Sequence, residues 1–183
     1  MYIIKENRNI SLQASLLEEN IIVIDSPFTP LMASNVIQQL LHLDSTPGKA
    51  SIQLYINSPG GCVVSGLAIY DTIQTLKKDV VTLGLGMCAS MGAFLLACGA
   101  KKGKRYITPN CQVMFHEVSS GARGRVSDME VSFNQTKKLN DKLHGLIAKA
   151  TGRSLKQIKS DFEKDVWMDG KEVIKFGAAD KIR

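Results

Sequence analysis

The chain has 183 residues, 44% of them hydrophobic, which suits one domain with a real core and is too short for two. Its formal charge of +6 is spread out, with small basic clusters only at Lys77 and Lys78 and at Lys101, Lys102, Lys104 and Arg105, and aromatic residues make up 6%. Neither a concentrated basic face nor an aromatic stacking platform stands out, so nucleic acid is not an expected partner.

The opening residues, MYIIKENRNI, place Lys5, Glu6 and Arg8 where a secretory leader needs its apolar stretch, so a cytoplasmic location is expected. Residues 1–18 read as a short N-terminal arm of a single domain covering 1–183. NIIVID (20–25) reads as a buried strand. Thr29 and Pro30 read as the N-cap and first residue of a helix carrying Met32, Val36, Ile37, Leu40 and Leu41 at helical spacing. SIQLYIN (51–57) alternates as a strand, a Ser-Pro-Gly-Gly turn follows, and a helix is expected over about 63–76. DVVTLGLG (79–86), RYIT and QVMFH read as further strands. From about 125 to 150, Met129, Phe133, Leu139, Leu143, Leu146, Ile147 and Ala150 fall mostly on one stripe. A helix of that length outruns a small domain, so its outer half needs a partner. Alternating strands and helices imply an α/β fold with crossover connections. The cysteines Cys62, Cys88, Cys98 and Cys111 form no C-x-x-C pair and are expected as reduced core residues.

Residues 84–100, GLGMCASMGAFLLACGA, admit three readings. The uncharged run 80–100 is long enough to cross a bilayer, but its glycines and β-branched residues suit a strand, a turn and a short helix better. Gly84, Gly86 and Ala89 fit a dinucleotide fingerprint, yet no Asp or Glu lies between Val80 and His116 to hold a ribose. The third reading makes Ser90 a nucleophile at a strand-to-helix turn. Met91 N–H would then be an unpaired first-turn donor facing an oxyanion. The SPGG turn (58–61) offers a second donor, since glycines there can aim an N–H into a site.

Near neutral pH the base is a histidine, and there are three. His42 sits late in a helix. His144 lies off the apolar stripe and reads as solvated. His116 ends a strand before a loop, where α/β sheets place functional side chains. Spacing does not select the orienting acid: Asp71, Asp161, Asp165 and Asp180 are equal on that ground.

LYINSPGG (54–61), GLAIYDTIQTLK (66–77), GMCASMGAFLLACGAKKGKRYITPN (86–110), VMFHE (113–117) and FGAADKI (176–182) together resemble the proteolytic subunit of the Clp protease family, ClpP. The resemblance runs from about residue 21 to 182. It implies a crotonase-like fold of stacked βαβ turns with a protruding handle, a strand and helix over about 121–150. Two stacked heptamers would enclose a chamber, and a separate AAA+ unfoldase would use the ATP, with no cofactor in this chain. Matched by position, Ser90 is the nucleophile, His116 the base, Asp165 the triad acid, and Gly61 and Met91 the oxyanion donors. The implied activity is serine endopeptidase cleavage of unfolded polypeptides, with no metal and no membrane.

The chain departs from the family pattern where Glu117 and Val118 replace Gln-Pro, where Arg123 and Arg125 replace neutral residues, at Glu163 and Lys164, and in its shorter N-terminal arm. These departures motivate one alternative, a weakly active or regulatory paralogue in mixed rings. A second is an acyl-CoA hydratase or isomerase on the same fold.

Overall fold

The computed structural model describes residues 2–5 and 8–183. After a hairpin of β1 (Tyr2–Lys5) and β2 (Arg8–Ser11) and the short helix α1 (Leu12–Glu18), the chain enters an α/β body. Its strands β3 (Ile21–Ile24), β4 (Ile52–Ser58), β5 (Val80–Ala89), β6 (Arg105–Ile107) and β9 (Lys181–Ile182) lie side by side in that order, all parallel. Parallel neighbours require crossovers. The first two are supplied by α2 (Pro30–Ser45) and α3 (Val63–Thr75).

The local reasons are visible in the side chains. Ile52, Leu54 and Ile56 alternate along β4 and are fully buried. Thr29 Oγ1 accepts the Met32 N–H at 3.2 Å and Pro30 opens α2, which buries Ala33, Val36, Leu40 and Leu43. The apolar run of the sequence divides between β5 and α4 (Met91–Cys98), a helix buried on every side. No helix among the described residues is long and apolar enough to cross a membrane. Gly84 lies within β5 rather than in a strand-to-helix turn, so no dinucleotide loop forms there.

β5 changes neighbours halfway. Thr82, Leu83 and Gly84 pair with β6, whereas Met87, Cys88 and Ala89 pair with β7 (Gln112–Phe115). The switch sits at a bulge: Ile56 pairs with Gly84, but Ser58 already pairs with Cys88. Gly86 takes φ +55° there, and a Cβ on it would stand 2.8 Å from Asn57 Oδ1. That same oxygen accepts the Met87 N–H at 3.1 Å, so Asn57 plugs the bulge. Bulges of this kind re-aim a strand next to a site. β7 in turn pairs antiparallel with β8 (Val166–Met168).

The helix α5 (Val126–Thr151) has 26 residues, about 39 Å at 1.5 Å per residue. Its C-terminal half buries Leu143, His144 and Ile147, whereas Val126, Val131 and Phe133 are 78%, 70% and 66% exposed. The division corrects three expectations. Leu143, grouped by the stripe with the protruding half, belongs to the docked half. His144, expected in solvent, is buried at 2% exposure. Residues 121–125, where a handle strand was expected, form no ladder among the described residues, because no strand there lies alongside to accept their backbone groups. Cys62 is also exposed rather than in the core, while Cys88, Cys98 and Cys111 are buried.

A single guanidinium ties these layers together. Arg105 is 1% exposed; its Nη1 donates to the carbonyls of Ala97 on α4 and Ala150 on α5, at 3.1 and 3.0 Å. Nε and Nη2 meet the two carboxylate oxygens of Asp180 at 3.0 and 2.7 Å. Burial pushes the Asp180 carboxyl up, but the hydrogen bonds and charge of Arg105 outweigh it and hold the group below its ordinary range. Removing one partner of such a pair strands the other charge, at a cost of about 3–5 kcal/mol. Asp180→Ala is therefore expected to lower the midpoint of urea unfolding markedly at pH 7. Because the native carboxyl titrates low, this stabilisation is full above the ordinary carboxylate pKa of about 3.9 and fades as pH falls through the native value. Unfolding curves of the two proteins should converge on acidification.

Candidate active site

β5 ends at Ala89, α4 begins at Met91, and Ser90 makes the corner between them with φ 53° and ψ −116°. This backbone is strained for a residue with a Cβ, and such strain persists only where its surroundings over-determine it. Two hydrogen bonds do so: the Ser90 N–H donates to Met114 C=O on β7 at 2.8 Å, and the Ser90 C=O accepts the Phe94 N–H at 2.9 Å. Gly92 lets the helix close on the neighbouring strand, since a Cβ there would lie 2.8 Å from the Ser58 carbonyl oxygen. The side chain is left free of its own backbone and makes no capping bond.

His116 follows the last residue of β7, and its Nε2 lies 2.8 Å from Ser90 Oγ. For the hydroxyl to donate, Nε2 must carry the lone pair and Nδ1 the proton. The ladder that carries His116 also places Asp165. Val113, Met114 and Phe115 face Met168, Trp167 and Val166, and one further step sets residue 116 opposite residue 165. Directly opposed residues in an antiparallel pair have Cβ atoms about 4.5–5.5 Å apart. Asp165 is exposed, and among the described residues its carboxylate has no hydrogen-bond partner, His116 included.

The other acids that spacing left open have separate positions. Asp180 is held by Arg105, Asp161 by Arg153 at 2.7 Å, and Asp71 lies exposed on α3. His42 is exposed in the last turn of α2, away from Ser90.

The turn 58–61 packs against the corner. Phe28 donates its N–H to Gly60 C=O and accepts the Cys62 N–H, at 2.8 and 2.9 Å. That pairing uses the groups flanking Gly61 and leaves the Gly61 N–H turned away from Phe28, without an acceptor among the described residues. The Met91 N–H, first in α4, is likewise unpaired, as helix geometry requires of a first-turn donor. A Cβ on Gly61 would lie 2.6 Å from the Phe28 carbonyl oxygen, which explains the glycine.

One cleft joins these groups: Gly61, Ser90, Met91 and His116 line it with Phe94, Phe115, Leu143, His144 and Ile147. Two contributors escaped the sequence reading. Asn140 on α5 accepts the Val118 N–H at 3.0 Å and so pins the segment after His116. His144 closes the inner wall, its ring edge-on to Phe162 at 5.6 Å. Burial holds its pKa below the ordinary histidine value, despite the opposing charge of Glu117. For Asn140 no local motif exists. For His144 the apolar stripe beside it does not show how wide a face of the helix the body covers.

A hydroxyl bonded to an imidazole, with two idle N–H donors beside it, is an arrangement for acyl transfer through an oxyanion. The family model for Clp protease matches residues 4–183 of the chain.

Gly60, at φ +96°, tests the packing of the corner: a Cβ on it would sit 2.6 Å from Ser90 Cβ and 2.7 Å from the Ala89 carbonyl oxygen. Gly60→Ala is expected to fold, by circular dichroism, and to slow fluorophosphonate labelling of Ser90 on the order of a hundredfold.

Proposed function

Because this chain belongs to the Clp protease family, we propose that it is the serine endopeptidase subunit of a self-compartmentalising protease that cuts unfolded polypeptides to short peptides. The single observation that carries the reading is the 2.8 Å contact between Ser90 Oγ and His116 Nε2 at a strained strand-to-helix corner.

In this mechanism His116 takes the hydroxyl proton as Ser90 Oγ attacks the scissile carbonyl. The tetrahedral oxyanion is met by the Gly61 and Met91 N–H groups. The imidazolium then protonates the leaving amine, and a water repeats the cycle on the acyl-enzyme. Asp165, opposite His116 in register, holds the Nδ1 tautomer once its carboxylate turns inward. The chemistry draws on side chains and backbone alone. ATP is used by a partner AAA+ unfoldase, and the chain works in two stacked heptameric rings.

One observation favours a second reading, a weakly active paralogue that depends on mixed rings. The Asp165 carboxylate is not engaged with His116 in the single chain, so the base lacks its orienting partner until something presses residue 165 inward. The acyl-CoA hydratase alternative would leave the Ser90–His116 contact without a task.

A fluorophosphonate probe should label the chain at Ser90, with a fluorogenic peptide cleaved in parallel and both signals lost in Ser90→Ala. No adduct on the assembled protein would reject serine catalysis. Asp165→Ala should retain labelling at a much reduced rate and lose peptide turnover on the order of 10³- to 10⁴-fold. Wild-type turnover in that variant would remove Asp165 from the mechanism.

The assembly rests on the free half of α5. Phe133→Glu should leave the monomer fold intact and give smaller species by native mass spectrometry. An unchanged mass would place the ring contact elsewhere.

A further inference from the structure

His144 is the polar exception in an apolar recess. It is 2% exposed, and among the described residues neither Nδ1 nor Nε2 has a hydrogen-bond partner. Its ring lines the cleft that holds Ser90, His116 and the Gly61 and Met91 donors, while Phe94, Leu143 and Ile147 supply apolar walls. Leaving buried polar atoms unpaired is costly, and native proteins keep few of them, mostly where a function uses them. Isolated from water, this imidazole is neutral and offers one donor and one acceptor. Its surroundings within the chain use neither.

We propose that His144 is a specificity-determining residue: it hydrogen-bonds the side chain that enters the recess from the substrate residue preceding the cut bond, and so favours an uncharged amide tip there, glutamine above all. The inference rests on the peptidase reading of the cleft. An amide carries both a donor and an acceptor, so either tautomer of the ring finds a match. The whole cleft, Ser90 and His116 included, holds only about 60 Å³, which suits an unbranched chain better than an aromatic ring. Methionine has nearly the reach of glutamine but leaves the imidazole unpaired. A site with a polar group left unpaired discriminates strongly against such an analogue. A charged tip is disfavoured, because the apolar walls would strip its water without a counter-ion.

The test uses fluorogenic peptides that differ only in glutamine or methionine before the scissile bond, with kcat/KM measured on the assembled protein. The wild type should favour glutamine several-fold, and His144→Phe, which keeps a ring against Phe162, should lower the glutamine-to-methionine ratio at least tenfold. His144→Asn should restore part of it. A merely structural role would slow both peptides in parallel, so an unchanged ratio overturns the proposal. So does a wild type that prefers methionine, which covers the case of a variant that fails to fold.

The same peptides binding to Ser90→Ala, read by fluorescence anisotropy, separate the two claims. Glutamine-selective binding that depends on His144, in a chain that cleaves nothing, keeps the inference and rejects the peptidase reading. Cleavage of both peptides with an indifferent ratio does the reverse.

Discussion

Everything at the site depends on one residue being held where its backbone does not want to be. Ser90 at φ 53° costs on the order of 1–3 kcal/mol against an ordinary strand or helix residue. It stays because β7 takes its N–H and the first turn of α4 takes its C=O. The Met114 carbonyl that accepts from Ser90 lies two residues before His116. The bond that enforces the strain thereby also sets the distance between the Ser90 hydroxyl and the His116 ring. Strain and alignment have a common cause.

The bulge at Gly86 makes that bond possible. Without it, β5 would run on beside β6, and the strand bearing His116 would have no neighbour in reach. Asn57 fills the gap that the extra residues open. On the far side, Arg105 joins α4 to the inner end of α5 through two carbonyls. The helix that follows Ser90 and the projecting helix are thus fastened at one buried cation, and Asn140 fastens α5 again at the segment after His116. A displacement of α5 has two rigid routes to Ser90 and His116 and little slack in either.

Much of this was readable from residues. The period-two alternation of 51–57, the Thr29–Pro30 helix start and the dry run around Ser90 each rest on local chemistry, and each appears where local chemistry puts it. The histidine at the end of a strand likewise proved to be the one beside the serine. What was hidden needed partners distant in sequence. His144 looked solvated because helical periodicity describes a stripe, not the width of the surface that covers it. Leu143 looked like part of the protruding seam because nothing in the stripe marks where the body ends. The resemblance implied a strand at about 121–125, but a strand exists only with a ladder partner. Spacing alone left Asp165 one acid among four; the family resemblance pointed to it, and the register of β7 and β8 sets it across from His116.

His116 follows β7 and Asp165 precedes β8, and the chain between them leaves the sheet through 117–125 and returns along α5. Both ends of that excursion are nailed by the short β7–β8 ladder, so the excursion is an appendage in the evolutionary sense. The length and charge of its exposed parts can be rewritten while His116 and Asp165 stay in register. Lengthening an exposed loop such as 119–124 costs only about 0.6 kcal/mol per doubling in closure entropy. A single-residue insertion inside the ladder, by contrast, would turn His116 or Asp165 to the opposite face of the sheet. Divergence among proteins built this way should therefore gather in the exposed loop 119–124 and the projecting half of α5 rather than in the ladder.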